Sequence, residues 1–171
     1  MVDFDVVDLP EADHVAEGDE APDFTRPLVT DEYWEDVALS DLLADDPVLL
    51  VFTPMDGAFP ATYLWNELRD RGVHDHRVQV AGVSISTPYE HKTTIAERGI
   101  EAFAGLFSDP QNGVADAYGV SHDLDGMAGV SEPRPAVFLV DEDGTVAYAW
   151  VADEWPAFPD YDDVEDAVAS I

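Results

Sequence analysis

The stretch Pro47 to Thr53, Pro-Val-Leu-Leu-Val-Phe-Thr, is a continuous apolar run without a charge. A strand apolar on both faces must be covered on both faces. That setting is a parallel or mixed sheet with a layer of helices on each side. The next residues supply such a cover. Pro54-Met55-Asp56-Gly57 reads as a turn, and Ala61, Leu64, Trp65 and Leu68 then recur at i, i+3, i+4 and i+7, one face of a helix running to about Arg71. Gly72 provides its stop.

The same alternation continues along the chain. Val78 to Ser86 predicts a second central strand. Thr87-Pro88-Tyr89-Glu90 predicts a helix start, with Thr at the N-cap, Pro in the first turn and Glu three residues on, and that helix ends near Gly99. Leu106-Phe107 reads as a short strand, Asn112 to Tyr118 as a short helix and Ala136 to Val140 as a third apolar strand. Asp143-Gly144 turns that strand into Thr145 to Val151 as a hairpin. Asp160 caps a last helix with Val164, Ala167, Val168 and Ile171 on one face. Upstream, Ala21 to Val29 opens the ordered part, Val37 to Leu39 reads as a short strand, and Ser40 caps a helical turn through Leu43. The order β-α-β-α, hairpin, α predicts an α/β thioredoxin-like fold, with a mixed central sheet and helices on both faces. Residues 1–17 are expected to form a loose acidic arm, with an added edge strand as the alternative, and residues 18–171 the domain.

Charge narrows the function. Lys plus Arg number 7 and Asp plus Glu 38 in 171 residues, a net charge of −31, with Lys92 the only lysine. With 46% of residues hydrophobic, the chain has enough apolar material for a core, so an acidic solvated shell around a folded interior is expected. Such a shell repels itself in dilute buffer and is screened in concentrated salt. It fits the cytoplasm of a salt-accumulating cell. No basic stripe is present to neutralise phosphates, and no apolar run reaches the length of a membrane span, so neither nucleic acid nor membrane is an expected partner. Met-Val-Asp-Phe-Asp at the start lacks the basic and apolar regions of a secretory signal. The chain has no cysteine, which excludes disulfides, thiolate metal sites and every thiol mechanism.

Several segments, in order and spacing, resemble the AhpC/TSA (peroxiredoxin) family. Gly18-Asp19-Glu20-Ala21-Pro22-Asp23-Phe24 is similar to its opening G-x-x-A-P-D-F, and Val37 to Leu42 to the strand and turn that follow. Val83-Ser84-Ile85-Ser86 with His91-Lys92, Phe107-Ser108-Asp109 with Val114 to Val120, and Arg134 through Tyr148 resemble later family segments. The resemblance implies a reactive motif P-x-x-x-T/S-x-x-C. Here Pro54 stands at the proline, Ala58 at the hydroxyl residue and Ala61 at the cysteine; Thr62 matches the residue after it, and Leu64 replaces a frequent glutamate. Arg134 matches the family arginine. Peroxide reduction by this family needs a thiolate that becomes a sulfenic acid. Alanine forms neither, and Thr62 without a positioned base does not substitute.

No catalytic residue is therefore assigned, and no cofactor. The candidate pocket is Pro54, Ala58, Ala61, Thr62 and Arg134, a helix N-terminus with a guanidinium beside it, suited to a small anion. The alternative is that Arg134 pairs with Glu132 or Asp141 and the pocket is vestigial. Two function classes stay open, besides a third, metal-dependent activity using the histidines. One is a non-catalytic protein acting through a ligand or a protein partner, such as a second copy or an active peroxiredoxin relative. The other is an antioxidant oxidoreductase working by a cysteine-independent mechanism. His74-Asp75-His76 and His122-Asp123-Leu124-Asp125 contain metal-ligand types without metal-site spacing and read as solvated loops. Met55 and Met127 are oxidisable residues whose default role is packing. Trp150, Trp155, Phe158 and Tyr161 read as a lid on the sheet edge or a dimer surface.

Overall fold

The structure, a computed structural model, describes residues 5–123 and 126–171. Its strands are β1 (Val7–Asp8), β2 (Thr25–Val29), β3 (Trp34–Ala38), β4 (Val48–Phe52), β5 (Gln79–Ser84), β6 (Gly105–Ser108), β7 (Ser121–His122), β8 (Glu132–Pro133), β9 (Ala136–Val140), β10 (Val146–Val151) and β11 (Glu154–Trp155). Its helices are α1 (Leu39–Leu43), α2 (Phe59–Asp70), α3 (Pro88–Arg98), α4 (Gly113–Tyr118) and α5 (Tyr161–Ser170).

The apolar runs become the middle of one seven-stranded sheet in the order β10-β9-β4-β5-β6-β2-β3. β4, β5 and β6 are parallel; β9 and β10 on one side, and β2 and β3 on the other, run antiparallel to their neighbours. Alternation along β4 splits the core. Leu50 and Phe52 face Leu43 of α1 and Tyr118 of α4, while Leu49 and Val51 face Leu64 of α2, Ile95 of α3 and Val164 of α5. The sheet is thus mixed, with helices on both faces, as the order of elements predicts.

The apolar faces of α2 and α5 lie in the core, except that Ile171, expected on the α5 face, is its C-cap residue and is exposed. Thr87 caps α3 by accepting the Glu90 N–H, and Glu90 accepts the Thr87 N–H in return. Gly99 ends that helix at φ 64°, the left-handed region where a side chain is strained. Asp160 caps α5. Gly82 in β5 is required by packing: a Cβ there would sit 2.6 Å from Trp65 Cη2, because the tip of that indole stands on the strand.

Three expectations are corrected. β2 and β3 form a hairpin at the sheet edge, where only Val37 to Leu39 was expected as strand. Pro27 and the acids Glu35 and Asp36 mask it, since edge strands carry the residues that central strands exclude. Ser40 does not cap α1. Ala38 is the N-cap residue, Asp41 accepts the Ala38 N–H, and Ser40 donates its N–H and hydroxyl to Asp23. The N-terminal segment is not loose over its described residues. β1 pairs with β11, the Leu9 N–H donates to Asp153 O, and the Val15 N–H donates to Tyr118 O. Gly119, at φ 74°, makes room for the segment: a Cβ there would run into the Asp13 carbonyl.

The short β1–β11 ladder sets Asp8 directly opposite Glu154. Like charges so placed weaken a pair of strands, and the −31 net charge adds to the repulsion. Salt at about 1 M shortens the screening length to about 3 Å. The melting temperature is therefore expected to climb by several degrees between dilute buffer and molar KCl. A melting curve indifferent to KCl would count against this account.

Candidate functional site

The parallel strands β4, β5 and β6 end together, and the turn 54–58 crosses above their C-terminal ends before α2 begins. In open α/β sheets this is where ligands enter. Asp56 fixes the turn. Its N–H donates to Ser86 Oγ at 2.8 Å, and its Oδ2 lies 2.8 Å from His91 Nδ1. The other ring nitrogen of His91 lies 3.0 Å from Phe107 O. Both ring nitrogens are thus engaged by oxygens of the protein. The two side chains are 2% and 7% exposed. Beneath them Ser108 donates its hydroxyl to Ser86 O. His91 has no free nitrogen for proton transfer to a ligand; its role is to hold the turn.

α2 starts without a side-chain cap. Ala58 is its N-cap residue, and Pro60 sits in its first turn. The Ala58 N–H donates to Met55 O and the Thr62 N–H to Ala58 O, so neither is available to a ligand. Ala61 is 1% exposed and packs with Leu64, Trp65 and Leu68. Pro54 is buried at the end of the strand. Two hollows flank this turn. One, between α2 and α3, has a volume of about 240 Å³ and is lined by Gly57, Ala61, Thr62 and Trp65 and by Thr94, Glu97 and Arg98. The other lies against Met55, Ala58, Phe59 and Trp155.

Pro54, Ala58, Ala61 and Thr62 are therefore neighbours, but Arg134 lines neither hollow. It is 4% exposed and donates from Nη1 to Pro10 O at 3.0 Å and Ala152 O at 3.1 Å. Neither Glu132 nor Asp141 is its hydrogen-bond partner. Burial lowers its pKa. His122 is held below the usual histidine range first by burial and then by the charge of Arg134. The arginine that lines the hollow at Ala61 is Arg98. Its signal was available in the sequence: Thr94, Glu97 and Arg98 fall at i, i+3 and i+4 on α3, one stripe of a helix.

Of the histidine-rich stretches, His74 stands 3.6 Å from Asp75, and His122-Asp123-Leu124-Asp125 runs onto residues 124–125, outside those described. Among the described residues no group of three or more His, Asp or Glu is placed to hold a metal ion. No helix among them is long and apolar enough to cross a membrane. Of the C-terminal aromatics, Trp155 packs on Phe59 and Phe158 on Tyr63, so that stretch covers the start of α2.

The model of the AhpC/TSA family matches residues 17–149. The chain belongs to the AhpC/TSA family. It is similar to the chloroplastic 2-cysteine peroxiredoxin of Chattonella marina var. antiqua, 28% identical over 144 residues that cover 78% of this chain and 69% of that protein. It is also similar to the chloroplastic 2-Cys peroxiredoxin BAS1 of Hordeum vulgare, 24% identical over 141 residues that cover 78% of this chain and 65% of that one. Against the matching BAS1 of Spinacia oleracea the chain spans only 51% of its relative's length. Among solved structures it resembles the peroxidoxin BcpB of Mycobacterium tuberculosis at a TM-score of 0.75, with 24% identity, over 92% of this chain and 99% of that one. These structures share its thioredoxin-like architecture. Within the AhpC/TSA family it is a member without cysteine.

Proposed function

We propose that this chain is a peroxiredoxin relative that no longer performs peroxidase chemistry and acts by binding. The observation that carries the reading is Ala61, closed into the core at 1% exposure where the family motif places its nucleophile, in a chain without cysteine. The rival reading, a cysteine-independent oxidoreductase, is supported by family membership alone. Hydrogen peroxide consumption with dithiothreitol as reductant separates the two: the wild-type protein is expected to show no turnover above buffer. The cytoplasm of a salt-accumulating cell is the proposed setting, supported by the −31 charge.

The proposed protein partner is a second copy or an active relative, and the support lies in the two sheet edges. β3 carries Glu35 and Asp36, the kind of charge that guards an edge. β10, Val-Ala-Tyr-Ala-Trp-Val, carries none, in a chain where 38 residues are acidic. Light scattering in molar KCl is expected to give twice the chain mass for the wild type and the single-chain mass for Ala147→Lys, whose side chain is exposed on that strand. A wild type that stays single would remove the homodimer from this proposal.

A further inference from the structure

We propose that residues 5–12 form a strap whose docking is set by salt, and that its release lifts Trp155 from the hollow at the start of α2. This inference goes beyond the binding function proposed above and does not depend on it.

The strap is held thinly. From Asp5 to Glu17 the chain carries five acidic residues and no lysine or arginine. Val6 and Val7 are 59% and 56% exposed, so little apolar burial fixes β1. What fixes it is backbone: the short ladder to β11, and the Leu9 N–H donating to Asp153 O. One cation adds to these bonds. Arg134 Nη1 donates to Pro10 O on the strap and to Ala152 O just before β11, and so clamps the two segments together. Charge opposes the docking. Hydrogen-bonded and non-hydrogen-bonded pairs alternate along an antiparallel ladder. The bond from Leu9 to Asp153 makes the adjacent pair, Asp8 with Glu154, the non-hydrogen-bonded kind, whose side chains stand closest. Just beyond, Glu11 and Asp153 border a single hollow, so like charges meet again.

The root of the strap is fixed more firmly. The Val15 N–H donates to Tyr118 O, the Val15 side chain packs on the core, and Gly119 admits the Asp13 carbonyl where a Cβ would not. Opening therefore stops short of Asp13. At the other end, β1 is the only strand paired with β11 among the described residues. Trp155 of β11 stands opposite Val7, packs on Phe59 with ring centroids 5.7 Å apart, and walls the hollow of about 500 Å³ that Met55, Ala58 and Pro60 also line. Loss of β1 frees the strand that carries this lid. Repulsion between exposed carboxylates fades as the screening length falls from about 10 Å at about 0.1 M salt to about 3 Å at about 1 M. The backbone bonds are not screened in this way. Concentrated salt thus closes the strap, and dilution opens it by a local transition that leaves the sheet intact.

Amide hydrogen exchange of the full chain, followed by NMR at constant pH in about 0.1 M and about 1 M KCl, tests this. Leu9 should exchange at least about fivefold faster in the dilute buffer, as a like-charge pair unmasked across a ladder allows. Val15 and Thr53, whose N–H groups donate to Tyr118 O and Val83 O, should keep their protection. The indole N–H resonance of Trp155 should shift over the same range of KCl. Asp8→Asn with Glu154→Gln, both exposed and outside the core, should give Leu9 its molar-salt protection already in dilute buffer. A Leu9 amide indifferent to KCl, or one that loses protection together with Thr53, overturns the strap. So does a neutral variant that keeps the wild-type salt response. A Trp155 resonance that stays in place while Leu9 responds overturns the lid.

Discussion

Replacing His91 with leucine should lower the melting temperature by on the order of 10 °C, one of the largest single-residue effects in this domain. The ring is enclosed between β6 and the turn before α2, and leucine fills the same space without a hydrogen-bonding atom. Asp56 Oδ2 then loses its partner at 2.8 Å, in a place where the carboxylate side chain is 7% exposed. Phe107 O loses its donor as well. Breaking a buried pair from one side costs about 3–5 kcal/mol, because the surviving charge stays buried and uncompensated. For a domain of this size each kcal/mol moves the midpoint by about 2–4 °C. The cause is coupling, so the double variant His91→Leu with Asp56→Leu should recover much of the loss, since it leaves no orphaned charge. Circular dichroism melts in molar KCl check this. A single variant that melts with the wild type, or a double variant that melts lower than the single one, would show that the pair does not hold the turn.

This pair also marks where sequence reasoning ends. The runs at β4, β5 and β9, the helix faces of α2 and α5, and the caps of α3 are local signals, and apolar periodicity or capping chemistry declares each of them within a dozen residues. Pro54, Ala58, Ala61 and Thr62 were legible for the same reason, being one turn and one helix start. Asp56 and His91 lie 35 residues apart, and only the parallel pairing of strands brings them together. Arg134 shows the opposite failure. Its position in the chain suggested the pocket, but its Nη1 donates to Ala152 O after β10 and to Pro10 O on the N-terminal segment, whose docking no local pattern announced. Arg98 shares a helical stripe with Thr94 and Glu97, a signal present in the sequence, but a charged residue on an amphipathic helix reads first as solvated surface.

Restoring the cysteine should not restore the enzyme. The wild type is expected to consume hydrogen peroxide no faster than buffer with dithiothreitol, since a thioether or alcohol gives no thiolate cycle. From the sequence alone, Ala61→Cys should give a poor enzyme and Ala58→Thr with Ala61→Cys a clearly faster one, on the assumption that Arg134 still attends the site. The structure changes the second expectation. Arg134 Nη1 is committed to Pro10 O and Ala152 O, so it is not available to orient peroxide at residue 61. The new thiol would occupy a position 1% exposed, packed among Leu64, Trp65 and Leu68. The α2 dipole favours its thiolate, but burial opposes it. Threonine at 58 would stand at an N-cap that now lacks a side-chain bond, and its hydroxyl would accept a first-turn N–H. It should therefore stabilise the fold by about 1 kcal/mol. It should change turnover by less than about tenfold, because positioning still lacks the cation. Peroxide consumption and melting temperature, measured on the same three proteins, separate the two contributions. Turnover by the wild type would end the non-catalytic reading. A double variant more than tenfold faster than Ala61→Cys would mean that a guanidinium, Arg98 across the hollow or an Arg134 released from the N-terminal segment, still serves residue 61.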